Sequence, residues 1–208
     1  MSGILYLHGF ASGPASKKAQ YFARRFAAHD VQLQIPDLAA GNFSQLTITG
    51  QLRVIEQAAG GHPVTLIGSS LGGYLAALYA SRHAETQRVV LLAPGFAFPL
   101  RWPEALGAER MAEWRRTGYL SVYHYGEKKE ARLGYQLVED AALYEDYPPV
   151  AQPCLIFHGK DDDVVPIARS IEFAKGKANV ELHVEDSDHE LLNVLEPMWQ
   201  RIRQFVLD

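Results

Sequence analysis

Short β-branched and leucine-rich runs alternate with helix-length stretches along most of the chain, and this alternation constrains the fold more than any other feature. The runs are Ile4–Leu7, Val31–Ile35, Val64–Ile67, Arg88–Leu92, Cys154–Phe157 and Val180–Val184. Each is short and bounded by Gly, Pro or polar residues, the pattern of strands buried on both faces. The predicted helices between them are Ala15–His29, Thr47–Ala59, Leu71–His83, Ile167–Lys175 and Leu191–Val206. In the last, Leu191, Leu195, Trp199, Ile202 and Val206 recur at spacings of three and four, which makes one apolar face. Strand and helix in strict alternation imply an α/β fold: a parallel sheet, covered on both faces, with right-handed crossovers.

The alternation stops between Pro94 and Pro149. That stretch holds ten of the 22 aromatic residues, with a predicted hairpin formed by Tyr119–Tyr125 and Ala131–Tyr135. The full length of 208 residues corresponds to about 1.4 average domains, which favours one domain with an insertion over two independent domains. The expected division is a core of residues 1–93 and 150–208 with a cap of 94–149. Such insertions gather at the carboxyl ends of strands, where functional loops collect.

Charge and cysteine content exclude some functions. Twenty basic residues against 24 acidic ones give a net charge of −4, so nothing draws the chain to nucleic acid. No apolar run is long enough to span a membrane, and the start of the chain has neither the basic residues nor the apolar length of a signal peptide. With the single Cys154 no internal disulfide can form, and the expected compartment is the cytoplasm.

The chemistry concentrates at Val64-Thr65-Leu66-Ile67-Gly68-Ser69-Ser70-Leu71-Gly72-Gly73. A strand, a Gly-x-Ser-x-Gly turn and a helix in this order make a nucleophile elbow, whose glycines at −2 and +2 avoid clashes in the sharp turn. Ser70 is the nucleophile by register, and Ser69 is the competing hydroxyl, one residue out of frame. A serine hydroxyl needs a base within hydrogen-bond reach and a third group to orient that base. Of eight histidines, His189 follows the last strand, on the sheet edge where Ser70 emerges, and is the predicted base. His29, His62 and His83 fall at helix ends or turns, His124 in the insertion and His183 within a strand.

The acid should follow the strand Cys154–Phe157, where Asp161, Asp162 and Asp163 are adjacent. Packing several unpaired charges together is costly, so two of them should be solvated, but spacing alone does not choose among the three. No segment has calcium or zinc ligand spacing, and neither metal nor cofactor is expected. The developing oxyanion needs backbone donors. Leu71 N–H, just after the nucleophile, and Phe10 N–H, in the bend permitted by Gly9, are the expected pair.

At Tyr6-Leu7-His8-Gly9-Phe10, Gly68–Gly73, His158–Pro166 and Ser187-Asp188-His189 the chain resembles the α/β-hydrolase-fold serine esterases over almost its whole length. It is similar to YqiA-type carboxylesterases and to the mitochondrial abhydrolase-domain acyl-protein thioesterases. The family pattern His-Gly-x-x-Asp-x-x-Val-Pro falls on His158, Gly159, Asp162, Val165 and Pro166, so the resemblance selects Asp162 as the acid, with Asp163 as its alternative. Larger members begin with two strands before the His-Gly strand, which here starts within the first few residues. The resemblance therefore implies a reduced fold of about six mainly parallel strands, flanked by helices and capped by the aromatic insertion.

The implied activity is hydrolysis of carboxylic esters of small or medium acyl chains through an acyl-enzyme. The insertion would supply an apolar acyl pocket at Phe96, Phe98 and Trp102. A thioesterase would use the same triad. A peptidase usually brings a large additional domain, and a dehalogenase places an aspartate at the nucleophile position. A non-catalytic ligand-binding homologue would lack a triad member, and none is missing. The expected partner is a small acyl ester or thioester.

Overall fold

The computed structural model describes residues 3–207; Met1 and Ser2, part of the segment weighed as a signal peptide, lie outside it. The strands are β1 (Gly3–Leu7), β2 (Leu33–Gln34), β3 (Val64–Ser69), β4 (Thr86–Leu92), β5 (Tyr119–His124), β6 (Lys129–Gly134), β7 (Cys154–Gly159) and β8 (Val180–Glu185). The helices are α1 (Lys17–Ala27), α2 (Ile48–Ala59), α3 (Leu71–Arg82), α4 (Phe98–Thr117), α5 (Gln136–Ala141), α6 (Ala168–Ala174) and α7 (Leu195–Leu207). Six strands form one sheet in the order β2-β1-β3-β4-β7-β8, and every pairing in it is parallel. β5 and β6 pair antiparallel in a separate hairpin.

Side chains alternate across the pleat, so each central strand feeds two cores. Leu5, Leu7, Val89, Leu91 and Ile156 join the core beneath α2 and α3. Ile4, Tyr6, Val90, Leu92, Leu155 and Phe157 join the opposite core beneath α1 and α7. α1 contributes Ala19, Phe22 and Phe26, and α7 contributes Met198, Trp199, Ile202 and Val206. The two helices meet where Phe26 contacts Trp199 edge-on at 4.9 Å. Each such burial contributes about 1.5–3 kcal/mol. α3 is buried on nearly every face, because the sheet lies on one side and the inserted segment on the other.

Several elements differ from the sequence expectation, among them α5, which it did not anticipate. β2 is two residues long, since it is an edge strand ended by Pro36, which has no N–H to give the ladder. The last helix starts at Leu195, not Leu191, because Pro197 fits the first turn but in a longer helix would strike the carbonyl of Asn193. Leu191 instead has a positive φ of 55° ahead of a short 3₁₀ turn at Leu192–Val194. The insertion contains α4, which the sequence hides behind Pro99, Pro103 and Gly107. α4 kinks at Gly107 (φ 73°), so it is two helical stretches, 98–106 and 108–117.

The inserted segment is tied down at several points. Tyr74 Oη donates to the Glu145 carbonyl at 2.9 Å, Arg82 pairs with Glu145 at 2.6 Å, and Arg169 on α6 pairs with Glu104 on α4 at 2.8 Å. Among the described residues no helix is long and apolar enough to cross a membrane.

Candidate active site

The end of β3 is held by contacts that leave no room for side chains. A Cβ on Gly68 would fall 2.2 Å from the Gly72 carbonyl oxygen, and one on Gly72 would fall 2.1 Å from that of Leu7. Neither position accepts alanine without moving backbone. Between them Ser70 sits at φ 54°, ψ −120°, a strained conformation costing on the order of 1–3 kcal/mol. The strain is offset locally: Ser70 N–H donates to the Leu92 carbonyl, and the Ser70 carbonyl accepts from Gly73, Tyr74 and Gly95. Ser69, one residue earlier, is 4% exposed and turned to the buried Tyr6 phenol.

Three sequence-predicted residues form one hydrogen-bonded line. His189 Nε2 is 3.0 Å from Ser70 Oγ, and His189 Nδ1 is 2.7 Å from Asp162 Oδ2. Ser70 leaves β3, Asp162 follows β7 and His189 follows β8, so all three stand at the carboxyl edge of the sheet. The Asp162 side chain is fully buried, whereas Asp161 and Asp163 are exposed. Asp162 Oδ1 accepts from Val164 N–H at 2.9 Å and Val165 N–H at 2.7 Å. Burial pushes this carboxyl upward, but hydrogen bonds from His158, His189 and Val165 outweigh it and hold Asp162 well below the usual carboxylate range.

His158, quoted in the sequence only as part of a motif, is a member of this network. It is fully buried on β7, with Nε2 3.1 Å from Asp162 Oδ2 and 2.9 Å from the Val165 carbonyl, and Nδ1 2.7 Å from Ser170 Oγ. Both neighbours of Nε2 are acceptors, so that nitrogen carries the proton, and Ser170 donates to Nδ1. His158 therefore grips Asp162 and its turn together. His8, just after β1, is likewise buried. Its Nε2 accepts from Leu38 N–H at 3.2 Å and its Nδ1 lies 3.0 Å from the Gly9 carbonyl, which fixes the bend after β1. Burial pulls its pKa down and keeps the ring neutral.

That bend passes against the serine: a Cβ on Gly9 would lie 3.4 Å from Ser70 Cβ and 4.0 Å from Ser70 Oγ. Phe10 follows it, and Leu71 opens α3, where the first N–H groups have no helical acceptor. Among the described residues neither N–H has a protein acceptor. The three aromatics proposed for the pocket differ in exposure, although the Phe98 and Trp102 rings meet edge-on at 6.1 Å. Phe96 stacks on Phe173 at 4.1 Å and Phe98 on Tyr74 at 6.2 Å, and each is only 2% exposed. Trp102 is half-buried, edge-on to Phe10 at 5.4 Å between rings, and its buried indole N–H has no partner among the described residues. Of the other histidines, His124 is buried and accepts from Glu127 N–H, and His83 stacks on Tyr79. No group of three or more His, Cys, Asp and Glu able to hold a metal occurs among the described residues.

Comparison with known proteins agrees with this architecture. The chain is 26% identical to the mitochondrial palmitoyl-protein thioesterase ABHD10 of Bos taurus, over 91% of this chain and 67% of that protein. It is 27% identical to the 2-hydroxymuconate semialdehyde hydrolase of Pseudomonas putida, over 86% of this chain and 77% of that one. The structure of alpha/beta hydrolase domain-containing protein 10 from mouse superposes with a TM-score of 0.81 at 21% identity, covering 98% of this chain and 89% of the other. The fold is that of the α/β hydrolases. The model of the family described as Uncharacterised protein family (UPF0227), the YqiA-type group, matches residues 3–206, and the chain belongs to that family.

Proposed function

We propose that this chain is a serine hydrolase that cleaves carboxylic esters through an acyl-enzyme on Ser70. The observation that supports it most is the line Ser70–His189–Asp162, at 3.0 and 2.7 Å, ending on a carboxylate held ionised. In this reading His189 Nε2 takes the Ser70 proton as Oγ attacks the acyl carbonyl, then passes it to the leaving oxygen. Asp162 keeps the Nδ1–H tautomer in place and stabilises the imidazolium. Phe10 and Leu71 N–H groups receive the oxyanion, each worth on the order of 10²–10³ in rate. Water, activated by the same histidine, then releases the acid. No cofactor takes part. Residues 94–149 act as the cap, and Trp102 with Phe10 forms the apolar wall for small or medium acyl chains.

His189→Ala removes the base and is expected to lower kcat on p-nitrophenyl butyrate by several orders of magnitude. Activity within a few fold of the parent protein would show that another group takes the proton. A second reading is favoured by one observation: the ABHD10 relative is named as a palmitoyl-protein thioesterase. Ser70, His189 and Asp162 would serve a thiol leaving group equally well. A matched pair, an oxygen ester and a thioester of one acyl group, decides between them by kcat/KM.

A further inference from the structure

The loop after β1 carries Phe10 N–H, one of the two donors proposed for the oxyanion, and it bends where a side chain resists bending. Ala11, the next residue, is buried at φ 51°, in the left-handed region that favours glycine. Backbone in this conformation persists only where its surroundings over-determine it. From the core side the His8 ring holds the loop, through Leu38 N–H and the Gly9 carbonyl.

The other side is held by the turn of the β5–β6 hairpin, in the inserted segment. Gly126 N–H donates to the Ala11 carbonyl at 3.3 Å. A Cβ on Gly126 would lie 3.4 Å from the Ser12 carbonyl carbon, 3.5 Å from Gly13 N and 3.3 Å from His124 Cε1. The two backbones come this close because Gly126 has no side chain. His124 supplies a second contact. Its buried ring meets Phe43 edge-on at 4.6 Å, and Phe43 in turn packs on Phe10 at 5.5 Å. The turn fixes that ring: Nδ1 accepts from Glu127 N–H at 3.1 Å, and the His124 carbonyl accepts from Lys128 N–H at 2.7 Å. Phe10 is thereby seated between Phe43 and Trp102. The space left behind the loop, beside Phe43, Leu46 and Gln51, is about 10 Å³, room for one water at most. No substrate group fits there, so these contacts act on the loop itself.

We propose that His124 and Gly126 are positioning residues: from the hairpin turn they hold Phe10 N–H where the oxyanion forms, and so contribute to turnover without touching substrate. This goes beyond the serine-hydrolase reading, on which it rests.

The test compares 1,1,1-trifluoro-2-hexanone with its alcohol, 1,1,1-trifluoro-2-hexanol, as inhibitors of p-nitrophenyl butyrate hydrolysis. On the ketone, Ser70 Oγ bonds to the carbonyl carbon, its proton passes to His189, and the carbonyl electron pair ends on oxygen as an oxyanion. The alcohol has no carbonyl and binds without this adduct. The ratio of inhibition constants, alcohol over ketone, therefore reads oxyanion stabilisation, while pocket affinity and loss of active protein cancel.

His124→Ala and Gly126→Val are each expected to lower this ratio about tenfold or more, within the 10²–10³ that a whole donor is worth. His124→Phe, which keeps a ring against Phe43, restores most of it. Gly126→Ala displaces its neighbours less and is expected to lower the ratio about threefold, which keeps the test open should Gly126→Val not fold. A ratio within about twofold of the parent's in both His124→Ala and Gly126→Val overturns the proposal, as does equal weakening of ketone and alcohol. Ketone binding by the parent protein through Ser70 leaves the hydrolase reading standing in either case. A parent protein that binds the ketone no better than the alcohol, and takes no fluorophosphonate, overturns both.

Discussion

The carboxyl of Asp162 is the residue on which the site's electrostatics turn. Four hydrogen bonds keep it ionised in the fold, and the unfolded chain has no equivalent. A carboxylate with a depressed folded pKa adds stability that is fully present above about pH 4 and is lost as pH falls toward the folded value. Urea unfolding between about pH 5 and 3 is therefore expected to show stability falling more steeply with acid in the parent protein than in Asp162→Asn. The difference in slope is up to about 1.4 kcal/mol per pH unit, one proton. Parallel slopes would mean that the Asp162 proton affinity does not change on folding.

At this scale Ser70 and the two flanking glycines were legible, because the elbow is a local steric problem and its solution is written in consecutive residues. Spacing alone did not choose among Asp161, Asp162 and Asp163, and only the family pattern pointed to Asp162, since the choice depends on how the turn after β7 aims the N–H groups of Val164 and Val165 and the His158 ring at one carboxylate. The deeper burial of Phe96 and Phe98 than of Trp102 was equally hidden: it depends on Phe173 and Tyr74, which pack over two of the three rings.

Among elements, the α1–α7 pair shows how periodicity becomes stability. The stripe Leu191, Leu195, Trp199, Ile202, Val206 was readable from spacing, and the fold buries Trp199, Ile202 and Val206 of α7 in the core beside Phe26. Trp199 is 2% exposed and also lies under Arg25 at 5.5 Å. Trp199→Ala is expected to cost about 3–5 kcal/mol in urea unfolding with an unchanged m-value. A loss below about 1 kcal/mol would show that α7 is not held by this contact. Of the two helices that sequence reading missed, α4 and α5, α4 carries two prolines and a glycine that normally end helices. Pro99 is harmless in the first turn, and Gly107 marks a kink rather than an end. The first stretch of α4 packs through Phe98 and Trp102 on Tyr74 and Phe10, contacts that its sequence does not announce.

For the whole molecule, parallel pairing sends the loops after β1, β3, β7 and β8 to one edge, so the proposed oxyanion donors, nucleophile, acid and base converge without long connections. The alternation of strands and helices was enough to anticipate that sheet, because each strand is buried on both faces. The seating of residues 94–149 was not, since it depends on tertiary pairs such as Arg82 with Glu145 and Arg169 with Glu104. Those ties anchor the segment, α4 included, to α3 and α6. The central claim is that Ser70 is the activated nucleophile, and covalent labelling with a fluorophosphonate, read by intact mass, tests it most directly. One adduct on the parent protein and none on Ser70→Ala is the predicted result; equal labelling of the two proteins, or none on the parent, would contradict it.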